Sequence, residues 1–384
     1  MYDQTGHALL PRSTHDEHAR QNFVQSLKEH LAMQVSPGNK SVYTRRAKPR
    51  FEQEHHRAPR DRHEVRRVMK DEPYYQTWSA LLRTSQEMMW ESVASSVERQ
   101  LPDLTAKAKI NGRALGSLTL DPDLPIPAYH TAVDIHCMPG GYHREGSADD
   151  IAAGAVYDRA VHIYAMGRMG PFNDDLGASL VAHLTQQYPH FRPRKILDMG
   201  CSVGHSTVPY VEAYPEAEVH AIDIGASMLR YAHARAEALG KRVHFSQQNA
   251  ERTNFADASF DLIVSHILLH ETSGAAIRNI MRECHRLLTP GGMMFHVEVP
   301  QYQGMDPYDA FILDWDTYNN NEPFWGAMHD LDLVELARQG GFVGETVVQT
   351  LVPSAFTMAR THTQLFQGGD FGGGGQWFVF GATK

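Results

Sequence analysis

The hydrophobic pattern changes character at about residue 191. Downstream, short apolar runs alternate with amphipathic ones. "KILDMG" reads as a buried strand, "VEAYPEAEVHAIDIG" delivers a second over 218–223, "VHFSQQNA" a third, "FDLIVSHIL" a fourth and "MMFHVEV" a fifth. Between them, "SMLRYAHARAEALG" and "AAIRNIMRECHRLLTPGG" read as helices, the first closed by Gly240, because glycine enters a left-handed cap at little cost. Strands spaced by helices predict an α/β fold with a parallel sheet covered on both faces. At the end of the chain, "ETVVQTLV" and "QWFVFGAT" are expected to pair as a terminal antiparallel hairpin.

Upstream the pattern is helical and less regular. "NFVQSLKEHLAMQV" repeats Phe23, Leu27, Leu31 and Val35 every four residues, which predicts a helix ending before Pro37. A second helix is expected after Pro73, with Trp78, Met88, Met89 and Trp90 in the core. Residues 101–150 are richer in Pro, Gly and Asp, with strand-like pieces "GSLTL" and "YHTAVDIHCM". The expected organisation is a polar, basic extension over 1–70, a mainly helical N-terminal module over 71–190, and an α/β domain over 191–384 with an insertion at 300–330. "GGDFGGGG" at 368–375 is low in complexity.

Composition narrows the class. With 384 residues, 42% of them apolar and 21% charged, the chain suits a soluble enzyme of more than one module. No apolar run approaches the ~18 residues that span a bilayer, and the N-terminus lacks a signal pattern, so a cytoplasmic protein without membrane association is expected. Cys137, Cys201 and Cys284 are too few and too scattered for a disulfide framework or a zinc pair. The net charge of -9 argues against general nucleic-acid binding. Residues 41–70 oppose it locally, with ten Lys/Arg against four acids, and read as a solvated stretch with an anionic partner as the alternative.

The stretch "KILDMGCSVGHST" carries two chemistries. Gly200 to Gly204 spells G-C-S-V-G, the pattern of a hydrolase nucleophile elbow with Ser202 attacking. The same turn, following Asp198 on a strand end, also suits a nucleoside cofactor at the carboxyl ends of a parallel sheet. The surroundings favour the second. Nothing upstream resembles an HGGG oxyanion loop, whereas Asp223 stands at the end of the next strand, where a carboxylate can accept bonds from both ribose hydroxyls. Neither a P-loop lysine nor G-x-G-x-x-G is present.

Taken in order, "ILDMGCSVG", "VHAIDIGASML", "QQNAERTNFADASFDLIVSH" and "ECHRLLTPGGMMFHVE" resemble the class I S-adenosylmethionine-dependent methyltransferases, in particular the UbiE-like small-molecule group. The resemblance covers about 191–300 and implies a Rossmann-like seven-stranded sheet. It also implies S-adenosyl-L-methionine (SAM) as cofactor and a small organic metabolite as methyl acceptor. Asp198 and the turn Gly200, Cys201, Ser202 and Gly204 would hold the methionine part, Asp223 the ribose, and Ile224 and Met228 the adenine surroundings. Asn249 and Ala250 would meet the adenine edge, Ser265 and His266 would line the floor, and the helix of Tyr157, Tyr164 and Arg168 would cover the cofactor. Ser202 stands where many members have glycine, and Asn249 where many have Asp. The alternative is a protein that binds the cofactor without transferring its methyl.

Transfer from a sulfonium needs positioning rather than a protein nucleophile, but an oxygen or ammonium acceptor must lose a proton. His270 and His266 follow the fourth strand and are candidate bases, with Glu271 orienting an imidazole; shaping the next helix explains them equally well. In "VDIHCMPGGYHRE", Asp134, His136 and His143 could ligate a metal, but a hydrogen-bonded loop is the reading adopted and no metal is expected. The insertion's aromatics, with Asp309, Asp314 and Asp316, suit a planar or cationic acceptor. Oligomer formation through the N-terminal module is open.

Overall fold

The computed structural model describes residues 3–356 and 375–384. Its centre is an eight-stranded sheet formed by β1 (Ser117–Thr119), β2 (Lys195–Met199), β3 (Glu218–Asp223), β4 (His244–Gln247), β5 (Phe260–His266), β6 (Leu288–Glu298), β7 (Val348–Pro353) and β8 (Gln376–Thr383). The spatial order is β1-β4-β3-β2-β5-β6-β8-β7. Pairings from β1 to β6 are parallel, and β8 runs antiparallel to both β6 and β7. The seven expected strands are all present. The eighth comes from "GSLTL", whose Ser117–Thr119 joins the edge against His244–Ser246.

Strand order reverses between β2 and β5, so the carboxyl ends of these strands open a crevice. Alternate side chains feed two core layers. Ile196, Val264 and Phe295 pack on one face of the sheet, and Leu197, Ile263 and Met294 on the other. The two-sided burial explains why these strands read as continuous apolar runs.

The N-terminal region departs from expectation. The run from His15 to His55 is helical throughout, widening into π-helical turns at Leu31–Val35 and Tyr43–Ala47, just before Pro37 and Pro49. Proline removes one backbone donor, and a wider turn lets the helix continue past it. The buried face is Gln21, Val24, Lys28 and Leu31, while Phe23 is 58% exposed, so the apolar repeat is one step off the packed stripe. Residues 41–70 are not a solvated stretch: Tyr43, Ala47, Phe51, Val65 and Met69 are buried, several of them with Tyr308, Phe311 and Trp315 of the insertion.

The second helix, Pro73–Ala108, runs 36 residues with Pro102 inside it and buries Trp78, Met89 and Trp90. The insertion forms helices Pro307–Leu313, Trp315–Asn319 and Trp325–His329. Arg62 grips it through Asp330 (2.6 and 2.7 Å) and Asp314 (3.3 Å), and Lys40 through Asp309 (2.8 Å). Asp309 and Asp314 therefore serve packing, Asp316 is buried and accepts from Asn320 Nδ2 at 2.9 Å, and none of the three lines the crevice. Apart from Gly375, the glycine tract lies outside the described residues. No helix among the described residues is long and apolar enough to cross a membrane.

Candidate active site

The crevice begins at the turn after β2. Gly200, Ser202 and Gly204 all take positive φ, of 71°, 46° and 76°. A Cβ on Gly200 would lie 2.7 Å from Leu268 Cδ1, so a side chain there would displace Leu268 and add to the strain of the positive φ. Ser202 accepts a conformation that favours glycine, which accounts for the glycine common at that position. Its strain is held by Asp223, whose Oδ2 accepts from Ser202 N at 2.9 Å while Oδ1 accepts from Gly225 N at 2.8 Å. One carboxylate thus ties together the turns after β2 and β3. Burial pushes its pKa up to about 6 against those backbone donors. No imidazole is hydrogen-bonded to Ser202 among the described residues, which removes the hydrolase reading; His205 instead binds Asp158 at 2.8 Å.

Asp198 is buried, with a partner on each oxygen. It accepts from Thr207 Oγ1 at 2.6 Å and faces His266 Nδ1 at 3.3 Å, and the other nitrogen of His266 meets Tyr210 Oη at 2.9 Å. With both ring nitrogens engaged, His266 is a structural link between strands and a poor candidate for proton abstraction.

The opposite wall is assembled from distant segments. His136 sits with φ 52° in a tight turn, Ile135–Cys137, and its carbonyl accepts from Trp90 Nε1 at 2.7 Å and Gln86 Nε2 at 3.0 Å of the long helix. Its Nε2 lies 3.1 Å from Glu271 Oε1 and its Nδ1 2.9 Å from Glu322 Oε1. His270 is fully buried, its Nδ1 bound to Glu298 Oε2 at 2.6 Å and its Nε2 3.8 Å from Glu322 Oε2. Burial opposes the charged form of both imidazoles, yet the facing glutamates hold His136 well above the usual histidine range and raise His270.

Most of the residues singled out from the sequence meet in one cavity: Asp198, Gly200, Cys201, Ser202, Asp223, Ile224, Met228, Asn249, Ala250, Tyr157, His266, His270 and Glu271 all line it. Three do not. Gly204 shapes the turn from behind; Ser265 is buried in the sheet against His296 Nδ1 at 2.7 Å; Arg168 lies past the end of helix Ala152–Tyr164 and pairs with Glu29 at 2.8 Å. Asn249 Oδ1 accepts from Glu251 N at 2.8 Å, which leaves its NH2 group for the cavity. Asp134, His136 and His143 do not form one cluster: His143 meets His130 edge-on at 5.5 Å between ring centroids, while His136 turns to Glu271.

Sequence reasoning missed Glu298 and Glu322. A glutamate ending the otherwise apolar "MMFHVE" is a buried-charge signal that could have found the first. "NNNEPFW" offers none for the second.

The site can seat a nucleoside: a carboxylate at the end of β3, a glycine turn that brings bare backbone to the cavity at Gly200 and an apolar wall from Ile224 and Met228 suit ribose, the methionine part and adenine. Comparison with known proteins agrees. Residues 196–292 match the family described as Methyltransferase domain. Demethylmenaquinone methyltransferase of Thermus thermophilus is 31% identical over 137 residues, 35% of this chain and 60% of that one. A malonyl-[acyl-carrier protein] O-methyltransferase of Methylococcus capsulatus is 33% identical over 123 residues, 31% of this chain and 42% of that one. A polyketide synthase-nonribosomal peptide synthetase of Aspergillus clavatus is 24% identical over 190 residues, 47% of this chain and 4% of that one. The chain therefore spans less than two thirds of the length of each of these relatives. Among solved structures, a putative O-methyltransferase of Nostoc punctiforme aligns over 96% of both chains at 14% identity, with a TM-score of 0.43. The glycine turn and the strand-end carboxylate thus lie within the residues, 196–292, that match the methyltransferase-domain family, in keeping with the resemblance to the class I, S-adenosylmethionine-dependent enzymes.

Proposed function

We propose that the chain transfers the methyl group of SAM to a small organic acceptor seated against the His136–His270–Glu271 wall. The observation that carries this reading is that one cavity contains both the nucleoside-type cradle around Asp223 and a wall of paired imidazoles and carboxylates. The cofactor, when bound, supplies an electrophilic sulfonium methyl. The chain's own contribution is to align the acceptor, exclude water and take up its proton.

Each residue has a part in this reading. Asp223 holds the ribose hydroxyls; Gly200, Cys201 and Ser202 offer backbone to the methionine part, with Asp198 bracing the turn; Ile224, Met228, Asn249 and Ala250 surround adenine; Tyr157 covers the cofactor. His270, fixed by Glu298, is the proton acceptor, with Glu271 and His136 at its side. The acceptor side is walled by Trp90, Tyr142, Tyr164 and Trp325, which fits a planar metabolite. The relatives named above act, by their names, on demethylmenaquinone and on malonyl-[acyl-carrier protein], so kinship leaves the acceptor atom open. Incubation with SAM and a fractionated metabolite extract, reading S-adenosylhomocysteine by mass spectrometry, tests the proposal. Cofactor binding without any acceptor-dependent product across such fractions would count against it.

A further inference from the structure

We infer that the wall opposite the cofactor cradle is a divalent transition-metal site, held by His136, His270 and Glu271. The inference rests on the methyl-transfer reading only for what the ion would do, not for where it binds. One donor atom from each of these three residues lies within 4.8 Å of the others. Donors on a four-coordinate ion with bonds of about 2.1 Å stand about 3.4 Å apart, so a small inward movement closes the set.

The second observation is what lies behind the histidines. His270 turns Nδ1 to Glu298 Oε2 at 2.6 Å and leaves Nε2 buried with no hydrogen-bond partner. His136 has Nε2 toward Glu271 at 3.1 Å and Nδ1 between Glu322 Oε1 at 2.9 Å and the Asn320 amide nitrogen at 3.0 Å. An imidazole that gives one ring N–H to a carboxylate presents its other nitrogen as a fixed-tautomer ligand, as His270 does, while His136 and Glu271 would exchange their mutual bond for bonds to the ion. Glu322 Oε2, also buried and without a hydrogen-bond partner, points to the same place, 3.8 Å from His270 Nε2.

Charge argues in the same direction. Glu271, Glu298, Glu322 and Asp316 surround two imidazoles, and no lysine or arginine among the described residues pairs with any of the four. A dication there would take the place of the protons that these carboxylates otherwise hold on the imidazoles. The backbone is strained on both sides of the cluster, His136 and Cys137 at φ 52° and 60°, and Ile267 at φ 57°, three residues before His270. A β-branched residue in that region is rare, and such strain is retained where a precise side-chain position is worth its cost.

Two imidazoles with carboxylate suit the borderline ions, zinc, iron(II), cobalt or manganese, rather than magnesium or calcium. The cavity side of the cluster is open, which leaves coordination positions for an acceptor oxygen. With the ion bound, His270 is a ligand rather than a base, and the ion takes over its task by lowering the pKa of that oxygen, so the acceptor enters the reaction already ionised.

The test uses the full chain, stripped with EDTA and titrated with Co2+ while its visible d–d absorption is followed. The expected result is saturation at one equivalent, displacement by Zn2+, and a rise in melting temperature with bound ion. Glu271→Gln and His136→Gln should weaken Co2+ at least about a hundredfold, and Glu298→Gln about ten- to a hundredfold. His143→Gln, on the same loop but off the cluster, should bind as wild type. Absence of Co2+ absorption and of any thermal shift in the wild type, or equal binding by E271Q and wild type, overturns the site. The thermal shift needs no variant, so misfolding of a mutant does not protect the inference. Calorimetry with S-adenosylhomocysteine on the same metal-free protein reads the cradle separately, so the metal site and the methyl-transfer reading fail by different signals.

Discussion

Asp223 Oδ2 accepts the backbone N–H of Ser202 at 2.9 Å, so the carboxylate proposed to hold the ribose also pins the strained turn beside it. Replacing Asp223 by Ala should therefore lose more than a ligand contact. We expect cofactor affinity to fall by about 1.5–3 kcal/mol, the range for a charged acceptor lost from a buried site, with the fold retained. Calorimetric titration with S-adenosylhomocysteine reads it, and affinities equal to wild type would remove Asp223 from the cradle.

The pH dependence follows from the same carboxylate, raised by burial to about 6. Between about pH 4, the ordinary carboxylate range, and pH 6, the folded protein holds a proton there that the unfolded chain does not. Its contribution to stability is thus full below about pH 4 and lost as pH rises through 6. Cofactor affinity should run the opposite way, weakening as pH falls below 6, because ribose hydroxyls bond best to the charged form. A flat affinity profile from pH 7.5 to 5 would show that Asp223 does not titrate in this window.

Ser202 sits at φ 46° without a hydroxyl role in the mechanism. Ser202→Gly should leave transfer intact and change stability by between zero and about +1 kcal/mol, relief of left-handed strain being partly offset by glycine's greater chain entropy. A melting-temperature comparison decides it. Large loss of activity in Ser202→Ala would return the hydrolase chemistry to consideration.

His270→Gln is expected to lower turnover about a hundredfold to ten-thousandfold while leaving cofactor affinity near wild type, since the imidazole stands on the acceptor side. Steady-state rates together with calorimetry separate the two. Unchanged turnover would take His270 out of the chemistry.

Asp158 is a buried hub in the helix Ala152–Tyr164, meeting His7 at 2.9 Å, His205 at 2.8 Å, Tyr231 Oη at 2.8 Å and Arg235 at 3.4 Å. Burial would raise its pKa, but these partners hold it well below the carboxylate range. Its stabilisation is present above the unfolded value near 4 and is lost as pH falls toward the depressed folded value. Asp158→Asn should cost about 3–5 kcal/mol by leaving Arg235 buried against a neutral amide, and denaturant melts at pH 7 check it. Deleting residues 1–70 should likewise destabilise the chain, because it removes His7 from this hub and uncovers the insertion's Phe311 and Trp315.

What the amino-acid order determined by itself is everything that short-range physics can write: the parallel strands, their helices, the glycine turn and Asp223 at the end of β3. Strand–turn–helix units carry their signal within about ten residues, as side-chain period and backbone permission. The first helix shows the limit of this, since its buried stripe passes through Gln21 and Lys28 and leaves Phe23 in water, a choice made by the helix Pro73–Ala108 packed against it. The acceptor wall was beyond reach for the same reason. His136 meets Glu271 across 135 residues, and only the tertiary structure brings them together: the carbonyl bonds from Gln86 and Trp90 hold the His136 turn, and the insertion carries Glu322 behind it. No local pattern encodes a contact whose energy comes from burying two separate segments against a third.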